Sequence, residues 1–212
     1  HRDLHSFPTR RSSDLSGGTF VLGDLGTHAL HLATLITGQQ VYQVSADCQS
    51  FVEGRVLEDN AHVLLRFEGG AAGYLWASGV AVGHRHGLAI RVFGSKAGIE
   101  WHQERPNQLL YSPLGETPLV LELDSPELHP AAKRLLRVMA GHPEGYFEAF
   151  SNIYSDFAEA LITRLSGNIP DPASMDFPTL EDGAQGVRFL EACVESAENK
   201  GCWVNSKLSD SE

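Results

Sequence analysis

The sequence predicts an α+β fold in two layers: an open-faced, mostly antiparallel β-sheet with helices on one face. Three observations support this. A helical pattern opens the chain, a run of short strand-like segments joined by tight turns follows, and the last third is helical again. Strands joined by such short turns pair antiparallel. No helix-length segment separates them, as a parallel βαβ order would require.

The first helix is predicted from apolar residues that recur at intervals of three and four positions. These residues are Leu25, Ala29, Leu32, Ala33 and Ile36. Gly38 follows them, and glycine is the usual residue that ends a helix in the left-handed conformation.

The strand-like segments come next, each bounded by turn residues. They are residues 41–48, 61–67, 71–82, 88–93, 99–103, 108–112 and 119–123. Alternation places Tyr74 and Trp76 on one face of the third segment and Leu75 and Ala77 on the other. Because apolar residues occur on both faces, helices can cover only one of them. We therefore expect a homo-oligomer, a dimer or tetramer, that pairs through the open sheet face.

Three further helices are predicted in the last third of the chain. Residues 131–140 form a short amphipathic segment, residues 143–165 carry a long apolar stripe, and residues 180–198 repeat that pattern after Pro178.

Composition excludes several classes of partner. Of the 212 residues, 42% are hydrophobic and 20% charged, which is typical of a globular chain with a substantial core. Twenty-seven acidic and 16 basic residues give a net charge of −11, whereas proteins that bind nucleic acid present a basic face. The longest weakly polar stretch, residues 71–83, is shorter than the roughly 20 residues of a membrane span. We expect neither nucleic acid nor a membrane as partner.

The cysteines and the chain ends add two expectations. Cys48, Cys193 and Cys202 are odd in number and lack C-x-x-C spacing, so we expect no disulfide framework and no zinc site, but reduced thiols in a cytoplasmic protein. Residues 1–15 show no helical or strand period and no signal-peptide pattern, so we expect a non-native or disordered leader. Residues 16–205 then form the folded domain, and residues 206–212 form a tail.

One dense polar constellation lies at the start of the first helix. It reads Gly-Asp-Leu-Gly-Thr-His from Gly23 to His28, with His31 one turn beyond. Asp24 and His28 are four positions apart and therefore share one helix face, where a carboxylate can orient an imidazole for general acid–base catalysis.

Two other interpretations of this constellation remain open. Asp24 is a favoured N-cap residue, and His28 is then an ordinary surface histidine in a non-enzymatic, sheet-mediated assembly module. Alternatively, Asp24, His28 and His31 are the ligands of a metal ion. The chain contains no G-x-G and no G-x-x-x-x-G-K, so we expect no nucleotide cofactor to be bound by this chain alone.

Five collinear segments resemble the C-terminal domain of the Gfo/Idh/MocA family, which comprises glucose–fructose oxidoreductase-like and inositol dehydrogenase-like NAD(P)-dependent enzymes. Residues 17–28 resemble its D-x-G-x-H motif, and residues 61–70 and 90–101 resemble its sheet strands. Residues 141–146 resemble a signature of members that act on sugars and polyols, and residues 178–183 resemble the entry to its closing helix.

The resemblance implies a function for this part of the chain. His28 accepts the proton of a sugar, polyol or cyclitol hydroxyl, and Asp24 positions that hydroxyl and the imidazole. The intact enzyme uses NAD or NADP, held by an N-terminal Rossmann domain that carries the glycine-rich turn and a catalytic lysine. That domain is not represented in these residues, so we expect this chain to be inactive by itself.

Four further residues are weaker candidates for contact with the substrate. His142, Glu144 and Tyr146 lie at the start of the long predicted helix, where the alternative is that they only initiate it and Glu144 complements its dipole. His86 lies with His84 and Arg85 at a polar tip between two strands, where the alternative is a solvated turn.

Overall fold

The computed structural model describes residues 18–208, and these residues fall into two compact units. The first unit comprises residues 18–85 and 180–208, and the second comprises residues 86–179. In chain order the elements are α1 (Thr27–Thr37), β1 (Val41–Gln49), β2 (Asn60–Phe67), β3 (Ala72–Ser78), β4 (Ala89–Phe93), β5 (Ala97–His102), β6 (Leu109–Pro113), β7 (Leu119–Leu121), α2 (Pro130–Lys133), α3 (Tyr146–Leu165), α4 (Leu180–Glu198) and β8 (Val204–Asn205).

The first unit has two layers, a four-stranded sheet and the helices on one of its faces. The strand order is β3-β2-β1-β8, and every neighbouring pair is antiparallel. Burial alternates along β2 from Ala61 onward, where Val63 and Leu65 face the core while Leu64 and Arg66 are exposed. One face of the sheet therefore packs on helices and the other remains open.

The core of the first unit lies between this sheet and the helices. It contains residues of the first helix, of β1 to β3 and of α4, among them Val21, Leu22, Leu30, Val44, Val63, Leu75, Phe189, Ala192 and Cys193. The hydroxyl of Ser196 on α4 accepts the Ala46 N–H at 2.8 Å and so joins the helix to the middle of β1. Gly38 ends α1 at φ 63°, as the sequence predicts.

The second unit has its own four-stranded sheet, with strand order β4-β5-β6-β7, again antiparallel throughout. The helices α2 and α3 and a 3₁₀ turn, Pro172–Ser174, belong to the same unit. No helix within residues 18–208 is long and apolar enough to cross a membrane.

The predicted fold class is confirmed, with helices and open antiparallel sheets. The strands are divided between two sheets rather than joined in one meander. The segment between β3 and β4 contains Gly83 and Gly87, both at positive φ, and forms turns instead of a ladder.

Several boundaries differ from the sequence prediction, and the third strand-like segment, predicted over residues 71–82, ends at Ser78 in β3. The helix predicted over residues 131–140 ends at Lys133, because the Leu135 and Leu136 N–H groups donate to carbonyls three positions back rather than four. The Arg137 N–H then donates to Glu144 Oε1 at 2.6 Å. The predicted tail, residues 206–212, begins too early, since Ser206 is fully buried and its hydroxyl donates to the Val41 carbonyl at 3.1 Å. The leader, residues 1–15, lies outside the described residues, as does the end of the tail, residues 209–212.

Candidate active site

The helix that carries Asp24 and His28 begins before Asp24. Its first turn is a π-turn, Leu22–Gly26, with Val21 as the N-cap residue. The Asp24 N–H donates to the Phe20 carbonyl at 3.0 Å, so Asp24 already lies inside the helix. The interpretation of Asp24 as the helix cap is therefore wrong. Burial of the apolar residues just before it, Phe20 to Leu22, draws the helix start into the core.

Two glycines let this turn pack closely against the rest of the unit. A Cβ at Gly23 would lie 2.8 Å from Thr19 Oγ1, closer than such contacts allow. A Cβ at Gly26 would lie 3.3 Å from Leu22 Cδ2 and 3.8 Å from Leu75 Cδ2 on β3. The glycines of the motif therefore serve packing, and they fix the turn against Thr19 and β3.

Asp24 and His28 remain one helical turn apart. Asp24 is half-buried and His28 is exposed. Between them the Thr27 hydroxyl donates to the Gly23 carbonyl at 3.0 Å, which satisfies the hydroxyl within the turn itself. A half-buried carboxylate beside an accessible imidazole is an arrangement that can orient the ring and exchange a proton with a bound hydroxyl. π-turns inside helices are frequent at functional sites.

The metal hypothesis does not agree with the geometry. Asp24 and His31 are seven residues apart, which is about 10 Å along a helix axis, whereas ligands of one ion lie about 2 Å from it. Within residues 18–208 no group of three His, Cys, Asp or Glu side chains is placed to hold a metal ion. His31 is half-buried on the helix.

A loop between β1 and β2 supplies a residue that the sequence analysis missed. Glu58 Oε1 accepts the backbone N–H groups of Phe20 at 2.8 Å and Leu22 at 3.0 Å. These two groups lie 38 and 36 positions away in the sequence, so no local pattern indicates the contact. The sequence indicates only that some acceptor is needed, because the first N–H groups of every helix have no partner inside it. It does not indicate which residue supplies that acceptor.

Two thiols next to this region, those of half-buried Cys48 and buried Cys193, have raised pKa values. Burial, and then the charges of Glu58 and Asp47, raise the pKa of Cys48 to about 12. Burial also raises the pKa of Cys193. Both thiols therefore stay protonated at neutral pH.

Glu144 is held in place within the second unit, but one of its oxygens has no partner. Oε1 accepts the Arg137 N–H at 2.6 Å, and the backbone carbonyl accepts Asn107 Nδ2 at 2.9 Å. Oε2 is buried without a hydrogen-bond partner among the described residues, which is costly for a carboxylate. Helix initiation belongs instead to Glu148, whose Oε2 accepts the Gly145 N–H at 2.9 Å and whose pKa this bond lowers.

The other three candidates of the second unit are exposed. His142 lies with Nδ1 3.2 Å from the Met139 carbonyl, and the Tyr146 ring lies 4.9 Å from that of Phe150. The turn of His86 is anchored by Glu104, which accepts the N–H groups of Gly87 and His86 and whose pKa is lowered mainly by the Gly87 bond. Asp24 and His28 belong to the first unit and these candidates to the second.

A family model described as the oxidoreductase family, C-terminal alpha/beta domain, matches residues 9–205. The chain belongs to this family. The match in the Gfo/Idh/MocA family begins inside the segment predicted as a leader and ends at Asn205.

Two relatives, one of them in two solved structures, illustrate the similarity. The uncharacterized oxidoreductase YfiI of Bacillus subtilis strain 168 is 39% identical over 195 residues, which cover 91% of this chain and 50% of that protein. The inositol dehydrogenase homolog from Azotobacter vinelandii complexed with NAD+ is 43% identical with a TM-score of 0.84, over 93% of this chain and 52% of that one. In its complex with NADH and myo-inositol, that homolog is 44% identical with a TM-score of 0.81, over 89% of this chain and 50% of that one. The chain thus spans about half the length of these Gfo/Idh/MocA relatives.

Proposed function

We propose that this chain is the substrate-binding and catalytic half of an NAD(P)-dependent dehydrogenase that acts on a sugar, polyol or cyclitol hydroxyl. The observation that carries the proposal is the glycine-framed helix start that holds Asp24 half-buried and leaves His28 exposed one turn away. Relatives crystallised with NAD+ and with NADH and myo-inositol support the class of cofactor and substrate.

In this proposal His28 accepts the proton of the substrate hydroxyl as the carbinol becomes a carbonyl. Asp24 hydrogen-bonds the hydroxyl or the imidazole and so fixes the direction of proton transfer. The nicotinamide cofactor, when bound, supplies the acceptor for the hydride that leaves the carbinol carbon. Glu144 Oε2, which is buried and has no hydrogen-bond partner within residues 18–208, supports a substrate contact there. His142 and Tyr146, on either side of Glu144 in the sequence, and His86 are the accompanying candidates.

The sheets of the described residues differ in topology from those of dinucleotide-binding folds. Both sheets are antiparallel throughout, whereas dinucleotide-binding folds use parallel βαβ units with a glycine-rich turn. We therefore propose that NAD or NADP is held by a separate nucleotide-binding half, and that these residues supply the substrate side. We also propose a cytoplasmic location and a homo-oligomer formed through the open sheet face of the first unit.

The test is a His28→Asn substitution in a complete enzyme, made by joining this chain to the nucleotide-binding half of the Azotobacter vinelandii homolog. We expect turnover of myo-inositol and related polyols to fall about 100-fold or more, the usual scale for a general base. The matched control is His31→Asn, a histidine one turn farther along the same helix, which should leave turnover within about 2-fold. Near-normal turnover of His28→Asn would remove this histidine from the mechanism and favour the non-enzymatic assembly module.

A further inference from the structure

We propose that Glu58 is the positioning residue of the Asp24–His28 helix. The inference rests on the proposed function, since it concerns where that function places its general base. Glu58 itself lies in the loop between β1 and β2 and reaches the helix start with one carboxylate oxygen.

The helix start has no cap of its own. Its N-cap residue, Val21, makes no side-chain hydrogen bond, and the first N–H groups of a helix have no partner inside it. Glu58 Oε1 accepts the N–H of Leu22, the first residue of the π-turn, and also that of Phe20, the residue just before the N-cap. A negative charge at a helix N-terminus is also favourable to the helix dipole. A carboxylate from elsewhere in the chain thus replaces the missing local cap.

The loop that presents Glu58 is itself fixed. Its neighbour Asp59 is fully buried and accepts the N–H groups of Phe51 and Val52, both at 2.9 Å. Asp59 Oδ2 also accepts Arg55 Nη1 at 3.2 Å. The Arg55 guanidinium in turn lies 5.1 Å from the centre of the Phe20 ring. The loop therefore contacts the helix start twice, once through Glu58 and once through Arg55.

Leu22 links this contact to the catalytic pair. Its N–H is held by Glu58, and its carbonyl accepts the Thr27 N–H that closes the π-turn. Asp24 lies within that turn, and His28 comes directly after Thr27. Leu22 is completely buried, so it has little freedom to move alone. Loss of the Glu58 contact should therefore release the π-turn and let the imidazole leave its position.

The first experiment measures amide hydrogen exchange in the 212-residue chain. In Glu58→Ala we expect the Phe20, Leu22 and Thr27 amides to exchange about 10-fold faster or more, because a charged acceptor is lost. Glu58→Gln keeps an acceptor oxygen and should stay within about 3-fold of the wild type. Glu53→Ala, an exposed glutamate of the same loop, is the matched control and should change nothing. Unchanged exchange in Glu58→Ala overturns the inference.

The second experiment measures kcat and KM in the completed enzyme. We expect Glu58→Ala to lower kcat about 10-fold with a smaller change in KM, and Glu58→Gln to restore kcat. If Glu58→Ala does not fold, Glu58→Asp, whose carboxylate is one methylene shorter, should show the same kcat loss. A normal kcat in these variants, beside an inactive His28→Asn, overturns the positioning role and leaves the proposed function standing. An active His28→Asn overturns the proposed function instead.

Discussion

Arg134 and Asp156 form a two-pronged ion pair in the second unit. Arg134 Nη1 and Nη2 donate to the two Asp156 oxygens at 2.9 and 2.8 Å, and Nη2 also donates to the Ala173 carbonyl. The hydrogen bonds from Arg134 lower the pKa of the Asp156 carboxyl, although its burial acts in the opposite direction. The pair ties the chain after α2 to α3 and to the 3₁₀ turn.

Asp156→Asn should therefore destabilise the chain by about 1–2 kcal/mol near pH 7, since the Arg134 and Asp156 side chains are only 29% and 10% exposed. Because the folded pKa of Asp156 is lowered, the pair stabilises the protein above the unfolded pKa of about 4. The stabilisation disappears as pH falls through the folded pKa, so the difference between variant and wild type should shrink below about pH 4. The free energies of unfolding of the variant and the wild type, measured with urea at several pH values, test this expectation. Glu159→Gln, an exposed residue of the same helix, should have no such effect.

At the scale of single elements, two helical glycines differ in what surrounds them. Gly23 lies against the Thr19 hydroxyl, whereas a Cβ at Gly183 on α4 would meet nothing within 4 Å. Alanine favours a helix over glycine by about 1 kcal/mol at either position. We expect Gly183→Ala to stabilise the chain by that amount. Gly23→Ala should instead destabilise it by about 1–3 kcal/mol, because Thr19 must move. Thermal unfolding measures the change in melting temperature of each variant. Changes of the same sign in the two variants would contradict this expectation.

Much of the fold was predictable because local periodicity and burial agree. The predicted alternation places Tyr74 and Trp76 on one face of the third segment and Leu75 and Ala77 on the other. In β3 the first pair is exposed and the second pair is buried. Gly38 indicates the end of α1, and the long apolar stripes predict α3 and α4 with nearly the observed bounds. In each case one short pattern specifies both the local conformation and the face that packs.

The parts that were not predictable depend on contacts between distant residues. Glu58 contacts Phe20, Asn205 pairs with Gln43, and the Arg137 N–H donates to Glu144. Each of these contacts joins two separate segments of the chain. The D-x-G-x-H pattern indicated Asp24 and His28 as the candidate pair, but the π-turn that displaces the helix start to Val21 has no signature in local propensity.

At the scale of the whole molecule, the open face of the first sheet carries an aromatic and apolar surface. We define this open face by His62, Leu64 and Arg66 on β2 and Tyr74 and Trp76 on β3. Tyr74 is 67% exposed, Leu64 52% and Trp76 49%. The rings of His62 and Trp76 stack with centres 6.0 Å apart, so the surface is ordered as well as exposed. A sheet face of this kind is a candidate for burial in an assembly.

We expect this open face to pair with the same face of a second copy about a two-fold axis, giving a dimer or tetramer at micromolar concentration. A lysine at Leu64 would face its own symmetry-related surface, where a buried unpaired charge is costly, so Leu64→Lys should shift the protein toward monomer. The matched control is Leu35→Lys on α1, because Leu35 is 60% exposed and Leu64 is 52% exposed. This variant should leave the assembly intact. Light scattering over a concentration series measures both variants. A wild-type protein that stays monomeric at all concentrations, or a Leu64→Lys variant that assembles as the wild type does, would show that the open face is not the interface.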